Sequence, residues 1–174
     1  ISADNALFLP DFRAAERTFA QLTQVAGRAG RMSRAGEVII QTFVPHYYPI
    51  QRAVAQDAEG FYAQELHMRD LLQFPPHWRL LLVRFTGANA ERVIRQAHVL
   101  GKVLRDRIEC NDGYRSLSIL GPAPSPIGRI EDEIRWQLLI RGQKPTLMRR
   151  LLEEGLADYH SDPHRRGVTL TFDM

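Results

Sequence analysis

The sequence predicts a two-part fold, in which the end of an α/β layer is followed by an α+β domain. Residues 1–45 read as strand, helix, glycine-rich loop and strand, which is an incomplete α/β arrangement. Residues 77–174 follow the order β-α-β-β-α-β, and a proline pair at 75–76 precedes them. These three observations predict the fold class, mixed α/β and α+β, before any single element is considered.

Each element of the first part rests on a local pattern. Ala6–Leu9 is a short apolar run that ends before a proline, which is typical of a buried strand. Asp11 is a favourable N-cap for the helix that follows, and that helix is predicted to end at the turn 27–30. Glu37–Phe43 is rich in β-branched residues and predicts a second strand. The apolar face of the helix comprises Phe12, Ala15, Phe19, Leu22 and Ala26.

The second part begins after residues 48–76, which are predicted to form a helical connector with a break near Gly60. Apolar residues at helical spacing then predict two helices, around Ala90–Leu104 and around Leu147–Leu156. A proline-rich turn, Pro122–Pro126, is predicted to close the second strand. The four predicted strands are Arg79–Phe85, Ser116–Leu120, Ile134–Ile140 and Val168–Phe172. This order predicts a ferredoxin-like sandwich, which is a sheet covered on one face by two helices.

Composition narrows the function classes without choosing one. Hydrophobic residues make up 44% and charged residues 25%, which is an ordinary globular composition. No apolar run approaches the roughly 18 residues that a membrane span needs, so no membrane partner is expected. Cys110 is the single cysteine, which excludes an internal disulfide and a multi-cysteine zinc site, and the histidines lack metal-ligand spacing. The net charge is +3 and nearly all basic residues are arginine, so a nucleic-acid partner is permitted but not required. The character of Ile1–Asp4, with no initial Met, leads us to expect a fragment.

The pattern Gln24-x-x-Gly27-Arg28-x-Gly30-Arg31 is the element that indicates chemistry. A γ-phosphate that leaves a nucleotide accumulates negative charge on its equatorial oxygens, and arginines aimed at those oxygens stabilise it. Glycines beside each arginine let the backbone approach a second protein surface without a Cβ clash. The alternative interpretation is structural, with Gly27 as a helix C-cap and both arginines as solvated charges at the negative end of the helix. The complete pattern favours the nucleotide site.

This pattern resembles motif VI of superfamily 2 helicases, which lies on the second RecA-like lobe and faces the nucleotide held by the first. Segments on both sides of it resemble one subfamily, the PriA primosomal replication-restart helicases (primosomal protein N′), in the family's order along the whole chain. These segments are Pro10–Ala14, Gly36–Thr42, Leu71–Leu81, Leu120–Pro124 and Arg135–Leu139. The resemblance implies the end of a RecA-like lobe in residues 1–47, a connector in 48–76 and a ferredoxin-like domain that binds DNA and partners in 77–174.

By the same resemblance, Arg28 and Arg31 contact the γ-phosphate of ATP, and Gln24, Gly27 and Gly30 support them. One arginine is then the arginine finger, and the sequence leaves open which one. The intact protein is expected to bind ATP and Mg²⁺ and to unwind DNA in the 3′-to-5′ direction at stalled or repaired replication forks. It is expected to act in the bacterial cytoplasm, at the nucleoid, and to restart replication by primosome assembly.

The resemblance also implies partners and missing parts. The expected partners are forked or single-stranded DNA, the acidic tail of the single-stranded DNA-binding protein and other primosome proteins. No Gly-x-x-x-x-Gly-Lys-Ser/Thr phosphate loop occurs in the chain, so the fragment alone is expected to hydrolyse no ATP. The zinc site of the family is expected only in an upstream segment.

Several basic residues outside the motif are candidates for binding. The candidates for the acidic tail are Lys144, Arg149, Arg150 and Arg135. Arg165 and Arg166, in a predicted turn, are candidates for contact with a DNA backbone. A solvated helix face and a solubilising pair before a strand are the alternative interpretations. The segment Arg129–Glu133 carries three carboxylates where the family tends to be basic, which favours a solvated turn over a DNA contact there.

Two other functions stay open from the sequence. The first is a non-catalytic nucleic-acid-binding module, although residues 80–85 and 134–137 are too aliphatic for the aromatic platform of an RNA-recognition domain. The second is another superfamily 2 DNA translocase, against which the run Pro10–Ala14 argues. A phosphate loop, an acidic magnesium motif and a cysteine cluster upstream of Ile1 would separate these possibilities.

Overall fold

The computed structural model describes residues 2–9, 11–29, 37–130, 132–159 and 167–174. The chain divides into two compact units, Ile1–Leu72 and Gln73–Met174. Each unit has its own cluster of buried apolar side chains. The cluster of the first unit includes Ile50 and Phe61, so the helices of the predicted connector pack with the N-terminal segment.

The described part of the first unit contains four helices: α1 (Asp4–Leu7), α2 (Ala14–Ala29), α3 (Tyr48–Val54) and α4 (Ala58–Leu71). The helix predicted from the spacing of apolar residues is confirmed as α2, and Phe19 and Leu22 on its apolar face are buried. The rings of Phe19 and Phe61 stack with their centroids 4.0 Å apart. This stack joins α2 to α4 and forms the centre of the first core.

Both strands predicted in the first unit are wrong. Residues 4–7 of the first apolar run form α1, and the carboxylate of Asp4 accepts hydrogen bonds from Thr42 Oγ1 (2.7 Å) and the Phe43 backbone N–H (3.1 Å). Residues 37–40 have no regular structure, and Gln41 forms only an isolated parallel bridge with Ser2. A short apolar run does not separate helix from strand, and a β-branched run becomes a strand only where a neighbour pairs with it.

The helical break also lies earlier than predicted. It comprises Ala55–Asp57, whereas Gly60 lies in the first turn of α4. The Asp57 carboxylate accepts a hydrogen bond from the Gly60 N–H at 2.8 Å and so caps α4. Because this cap satisfies a free amide of the first turn, the glycine does not interrupt the helix.

The described part of the second unit contains four strands and two α-helices in the predicted order. In chain order they are β1 (Arg79–Gly87), α5 (Ala90–Cys110), β2 (Ser118–Ile130), β3 (Glu133–Gly142), α6 (Pro145–Tyr159) and β4 (Thr169–Asp173). The strands form one sheet in the order β2-β3-β1-β4, and every neighbouring pair is antiparallel. The α+β class predicted for this part of the chain is confirmed.

The core of the second unit lies between the two helices and one face of the sheet. Val93, Ala97, Leu100 and Leu104 of α5 recur at helical spacing and are fully buried. The apolar residues of β1 alternate, and Leu81, Val83 and Phe85 face this core. A Cβ on Gly155 of α6 would lie 2.5 Å from Leu104 Cδ2, so the two helices approach closely at this glycine.

The predicted turn at Pro122–Pro126 is wrong, because β2 continues through it to Ile130. The pairing of β2 with β3 shifts register twice, between Leu120 and Ala123 and between Pro124 and Arg129. The sheet order places β2 at an edge. A proline lacks the N–H of a central ladder but is accepted on an edge strand or at a bulge, which explains how the strand includes these prolines.

Candidate nucleotide-contact site

The C-terminal end of α2 presents part of the arginine motif on one exposed face. Gln24, Gly27 and Arg28 are all exposed. They are spaced i, i+3 and i+4, which places them on the same side of a helix. The buried side chains of α2, including Phe19 and Leu22, lie on the opposite side. The helix therefore holds this face away from the core of the first unit.

The helix extends further than the sequence predicts. It was expected to end at the turn 27–30, but α2 continues to Ala29. Gly27 and Arg28 therefore lie within its last turns, and the C-cap alternative for Gly27 is wrong. A Cβ built on Gly27 meets nothing within 4 Å, so no described contact of the first unit requires a glycine there.

Arg31 and Gly30 lie outside the described residues, so the structure places only three of the five predicted motif residues. The ion pairs of the first unit, within the described ranges, involve Arg13, Arg17, Arg52 and Arg69. None of those pairs includes Arg28, whose side chain is exposed to solvent. An exposed arginine on a helix is suited to contact with an anion that another surface presents.

A partly buried group of polar and charged residues, which the sequence did not indicate, joins α2 to α3 and α4. Arg69 donates from Nη2 to Glu16 Oε2 and from Nε to Glu65 Oε1, at 2.7 Å in both cases. The Tyr48 hydroxyl donates to the other oxygen of Glu65. The guanidinium of Arg69 also lies over the Phe12 ring, 5.3 Å from its centroid. We call Glu16, Tyr48, Glu65 and Arg69 the Arg69 cluster.

The Arg69 cluster is shielded from solvent at its centre. The side chain of Glu65 is 6% exposed, that of Arg69 is 13% exposed and that of Glu16 is 42% exposed. Burial raises the pKa of the Tyr48 hydroxyl far above its ordinary value, and its hydrogen bond to Glu65 raises that pKa further. Burial acts to lower the pKa of Arg69, but its hydrogen bonds to Glu16 and Glu65 outweigh burial and raise it. The spacing of Glu65 and Arg69 was a signal in the sequence, whereas their contacts with Glu16 and Tyr48 are tertiary.

The structure separates the basic residues that were predicted to bind an acidic tail. Arg150 Nε pairs with Glu154 Oε1 at 2.9 Å, and Glu154 also pairs with Arg107 at 3.0 Å. The hydrogen bond from Arg150 lowers the pKa of Glu154, so this carboxylate is charged and offsets the arginine. Lys144 and Arg149 are exposed.

Arg149 lies beside an apolar groove between α6 and the last strand. Leu81, Leu152 and Phe172 are among its apolar lining residues. Its charged lining residues are Arg149, Glu153 and Asp173. Among the predicted residues, Arg149 is therefore the one that the structure places beside a surface able to accept an apolar group.

Arg135 does not lie with Arg149 and Arg150. Leu138 and Ile140 of β3 face the core that α6 covers, and side chains alternate along a strand. Arg135 therefore lies on the opposite face of the sheet, next to Thr86 of β1. Its Nε is buried without a hydrogen-bond partner. Arg165 and Arg166 lie outside the described residues.

Two further kinds of site are absent from the described ranges. No group of three or more His, Cys, Asp or Glu side chains is arranged to hold a metal ion in that part of the chain. None of the helices described above has the length and apolar character needed to cross a membrane.

The chain is similar in sequence to several known proteins, and each match covers most of this chain. It is 40% identical over 174 residues to "Replication restart protein PriA" of Bacillus subtilis, which covers 100% of this chain and 21% of that protein. It is 40% identical over 141 residues to the protein of the same name from Synechocystis, covering 81% of this chain and 16% of that protein. The protein of the same name from Chlamydia pneumoniae is 36% identical over 141 residues. This match covers 81% of this chain and 18% of that protein. The chain thus spans about a fifth of the length of these relatives.

A family model agrees with these relatives. The model described as "Primosomal protein N C-terminal domain" matches residues 70–174. The match includes the whole second unit, with its four-stranded sheet and two helices. The chain therefore belongs to the PriA family, and its second unit belongs to the domain family that this model describes.

Proposed function

We propose that the chain is the C-terminal part of an ATP-dependent 3′-to-5′ DNA helicase that restarts replication at stalled or repaired forks through primosome assembly. The relatives named above carry the name of replication restart protein, and the family membership supports the same role. The observation that carries the ATPase part is the exposed face formed by Gln24, Gly27 and Arg28 at the end of α2. Such a protein acts in the bacterial cytoplasm, at the nucleoid.

In this proposal residues 1–47 are the end of the second RecA-like lobe. Two features support this assignment. The bridge between Ser2 and Gln41 is parallel, and parallel pairing of strands is typical of the sheets of α/β proteins. Ile39 and Phe43 are 74% and 91% exposed, as expected of a segment that packs against more of such a layer in a longer protein.

The remaining residues divide between a connector and a binding domain. Residues 48–76 link the two parts, and α3 and α4 of this segment pack on α2. Residues 77–174 are the ferredoxin-like domain that binds DNA and partners. Their β-α-β-β-α-β order and antiparallel sheet support this assignment.

In the ATPase site, Arg28 and Arg31 stabilise the negative charge that develops on the γ-phosphate during hydrolysis. Gln24, Gly27 and Gly30 support these arginines in the same motif. ATP and Mg²⁺ are held by the other lobe of the intact protein, because the 174 residues contain no phosphate loop. The fragment alone therefore hydrolyses no ATP. Zinc belongs to an upstream segment, since Cys110 is the only cysteine of the chain.

The partners in this proposal are forked or single-stranded DNA, the single-stranded DNA-binding protein and other primosome proteins. Arg149 is the predicted residue best placed for an acidic tail, because it is exposed beside an apolar groove. An acidic peptide with an apolar end would place a negative charge near Arg149 and its apolar end in the groove. Arg150 contributes less, since Glu154 already neutralises it.

The test of the proposed function uses the intact protein with Arg28→Ala or Arg31→Ala. Removing an arginine that contacts the transferred phosphoryl group is expected to lower the DNA-stimulated ATPase kcat by roughly 10³-fold or more. DNA affinity, measured by fluorescence anisotropy on a forked duplex, is expected to stay unchanged. Loss of DNA binding with normal hydrolysis would contradict the assignment and give the arginine motif a role in DNA binding instead.

A further inference from the structure

Three ionic and aromatic contacts join α2 to α4 in the first half of α2, and one of them is the edge-on contact of Phe19 with Tyr62, with ring centroids 6.2 Å apart. Glu16 pairs with Arg69 of α4 at 2.7 Å, and Phe19 stacks on Phe61 of α4 at 4.0 Å. The motif residues Gln24 and Arg28 lie in the second half and are exposed. Gln24 and Arg28 therefore lie beyond these contacts with α4, on a helix that also packs on α3 and buries Leu22.

This arrangement makes the position of Arg28 sensitive to the direction of α2. Twelve residues separate Glu16 from Arg28, which corresponds to about 18 Å along a helix. A tilt of about 5° at Glu16 would move Arg28 by about 1.5 Å over that length. A displacement of about 1 Å at a reacting centre costs on the order of 10²-fold in rate. A small change at the contacts with α4 is thus large enough to affect catalysis.

The contact of Arg69 with Glu16 is held from several sides. Glu65 fixes Nε of Arg69, and Tyr48 in turn fixes Glu65. The Phe12 ring supports the guanidinium plane. The N–H groups of a guanidinium all donate within its plane. Because Glu65 fixes Nε of Arg69, the direction in which Nη2 donates to Glu16 is fixed as well. The Arg69 cluster therefore fixes where the carboxylate of Glu16 is held against α4, and so contributes to the direction of α2.

We propose that Arg69 is a positioning residue for the ATPase reaction, which acts through Glu16 to aim α2 and the arginine motif at the nucleotide. This inference rests on the proposed function. A purely structural ion pair would contribute to stability alone, whereas a positioning pair also affects turnover. Because the arginines act on charge that develops in the transition state, the loss falls on kcat and leaves KM for ATP nearly unchanged.

Glu16→Ala in the intact protein is the informative variant. Arg69→Met would leave Glu65 as a buried charge without its partner and so endanger folding. Glu16 is 42% exposed, and its removal leaves the pairs of Arg69 with Glu65 and of Glu65 with Tyr48 in place. Arg17→Ala is the matched control, because Arg17 lies beside Glu16 on α2 and pairs at 2.8 Å with Asp11 rather than with α4. Glu16→Gln keeps an oxygen that can accept from Arg69.

The expected result is a fall of about tenfold in kcat for Glu16→Ala, with KM for ATP changed by less than about twofold. Glu16→Gln is expected to retain an intermediate kcat, and Arg17→Ala the full kcat. Equal effects of Glu16→Ala and Arg17→Ala, or a normal kcat for Glu16→Ala, would overturn the positioning role. Arg28→Ala is measured in parallel, and normal turnover in that variant would instead overturn the proposed function.

Discussion

Replacing Gly27 by alanine tests whether a glycine is needed at this position for the stability of the fold or for the ATPase reaction. Gly27 lies within α2, and a Cβ there meets nothing within 4 Å. Its φ is not in the left-handed region, so alanine adopts the same backbone conformation without strain. The structure of the first unit therefore offers no reason for a glycine at this position.

The magnitude follows from helix propensity. Alanine in place of a helical glycine is expected to raise the free energy of unfolding by about 0.5–1 kcal/mol. For a unit of this size, that gain corresponds to an increase of about 2–8 °C in Tm. If Gly27 instead serves a close approach to the nucleotide-bearing surface, the added methyl group obstructs that approach. Gly27→Ala in the intact protein is then expected to lower the ATPase kcat by about tenfold.

Thermal unfolding of the chain and steady-state ATPase of the intact protein together test this reasoning. Gly60→Ala is the contrasting variant, since its Cβ would lie 2.2 Å from Asp57 Oδ2 and the protein is expected to lose stability. A lower Tm for Gly27→Ala would refute the helical, open environment assigned to the residue. A higher Tm with undiminished turnover would refute the close approach.

Three further predictions concern other residues. Tyr48→Phe removes the donor to buried Glu65 and is expected to lower the free energy of unfolding by about 1–3 kcal/mol in urea denaturation, whereas the control Tyr47→Phe changes it little. The Gly60 N–H and Arg52 hold the pKa of Asp57 below its ordinary 3.8, so its stabilising contribution is present above that pH and is lost as the pH falls through the lowered value. Asp57→Asn should remove this part of the acid dependence, and an unchanged acid-unfolding curve would contradict the assignment. Arg149→Ala is expected to weaken the binding of an acidic peptide with an apolar end more than Arg150→Ala does, as measured by fluorescence anisotropy. Equal losses of affinity in the two variants would argue against binding at the groove.

Long periodic patterns were sufficient to predict most of the second unit. The helices α5 and α6 and the strands β1 and β3 repeat their apolar residues at the spacing of their own secondary structure. The same holds for α2, and the spacing of Gln24, Gly27 and Arg28 then places them on one face. Such features depend on neighbours within a few turns, so the sequence contains the information directly.

Elements that depend on a partner strand were not predictable in this way. Glu37–Phe43 has the composition of a strand but pairs only at Gln41 with Ser2. The segment Pro122–Pro126 has the composition of a turn but lies within β2, because that strand is at the edge of the sheet. Whether a run of residues becomes a strand depends on which chain lies beside it, and composition does not specify that neighbour.

The sequence by itself determined the α+β class of the second unit, its element order and the family to which the chain belongs. Only the tertiary structure decided which charged groups meet. Arg69 reaches Glu16 across 53 positions, and Thr42 reaches Asp4 across 38. It also decided that Arg150 is paired while Arg149 lies beside a groove, although both belong to one helix. Ionic and hydrogen-bond contacts require atoms within about 3 Å, and such proximity between distant segments is set by how the cores pack.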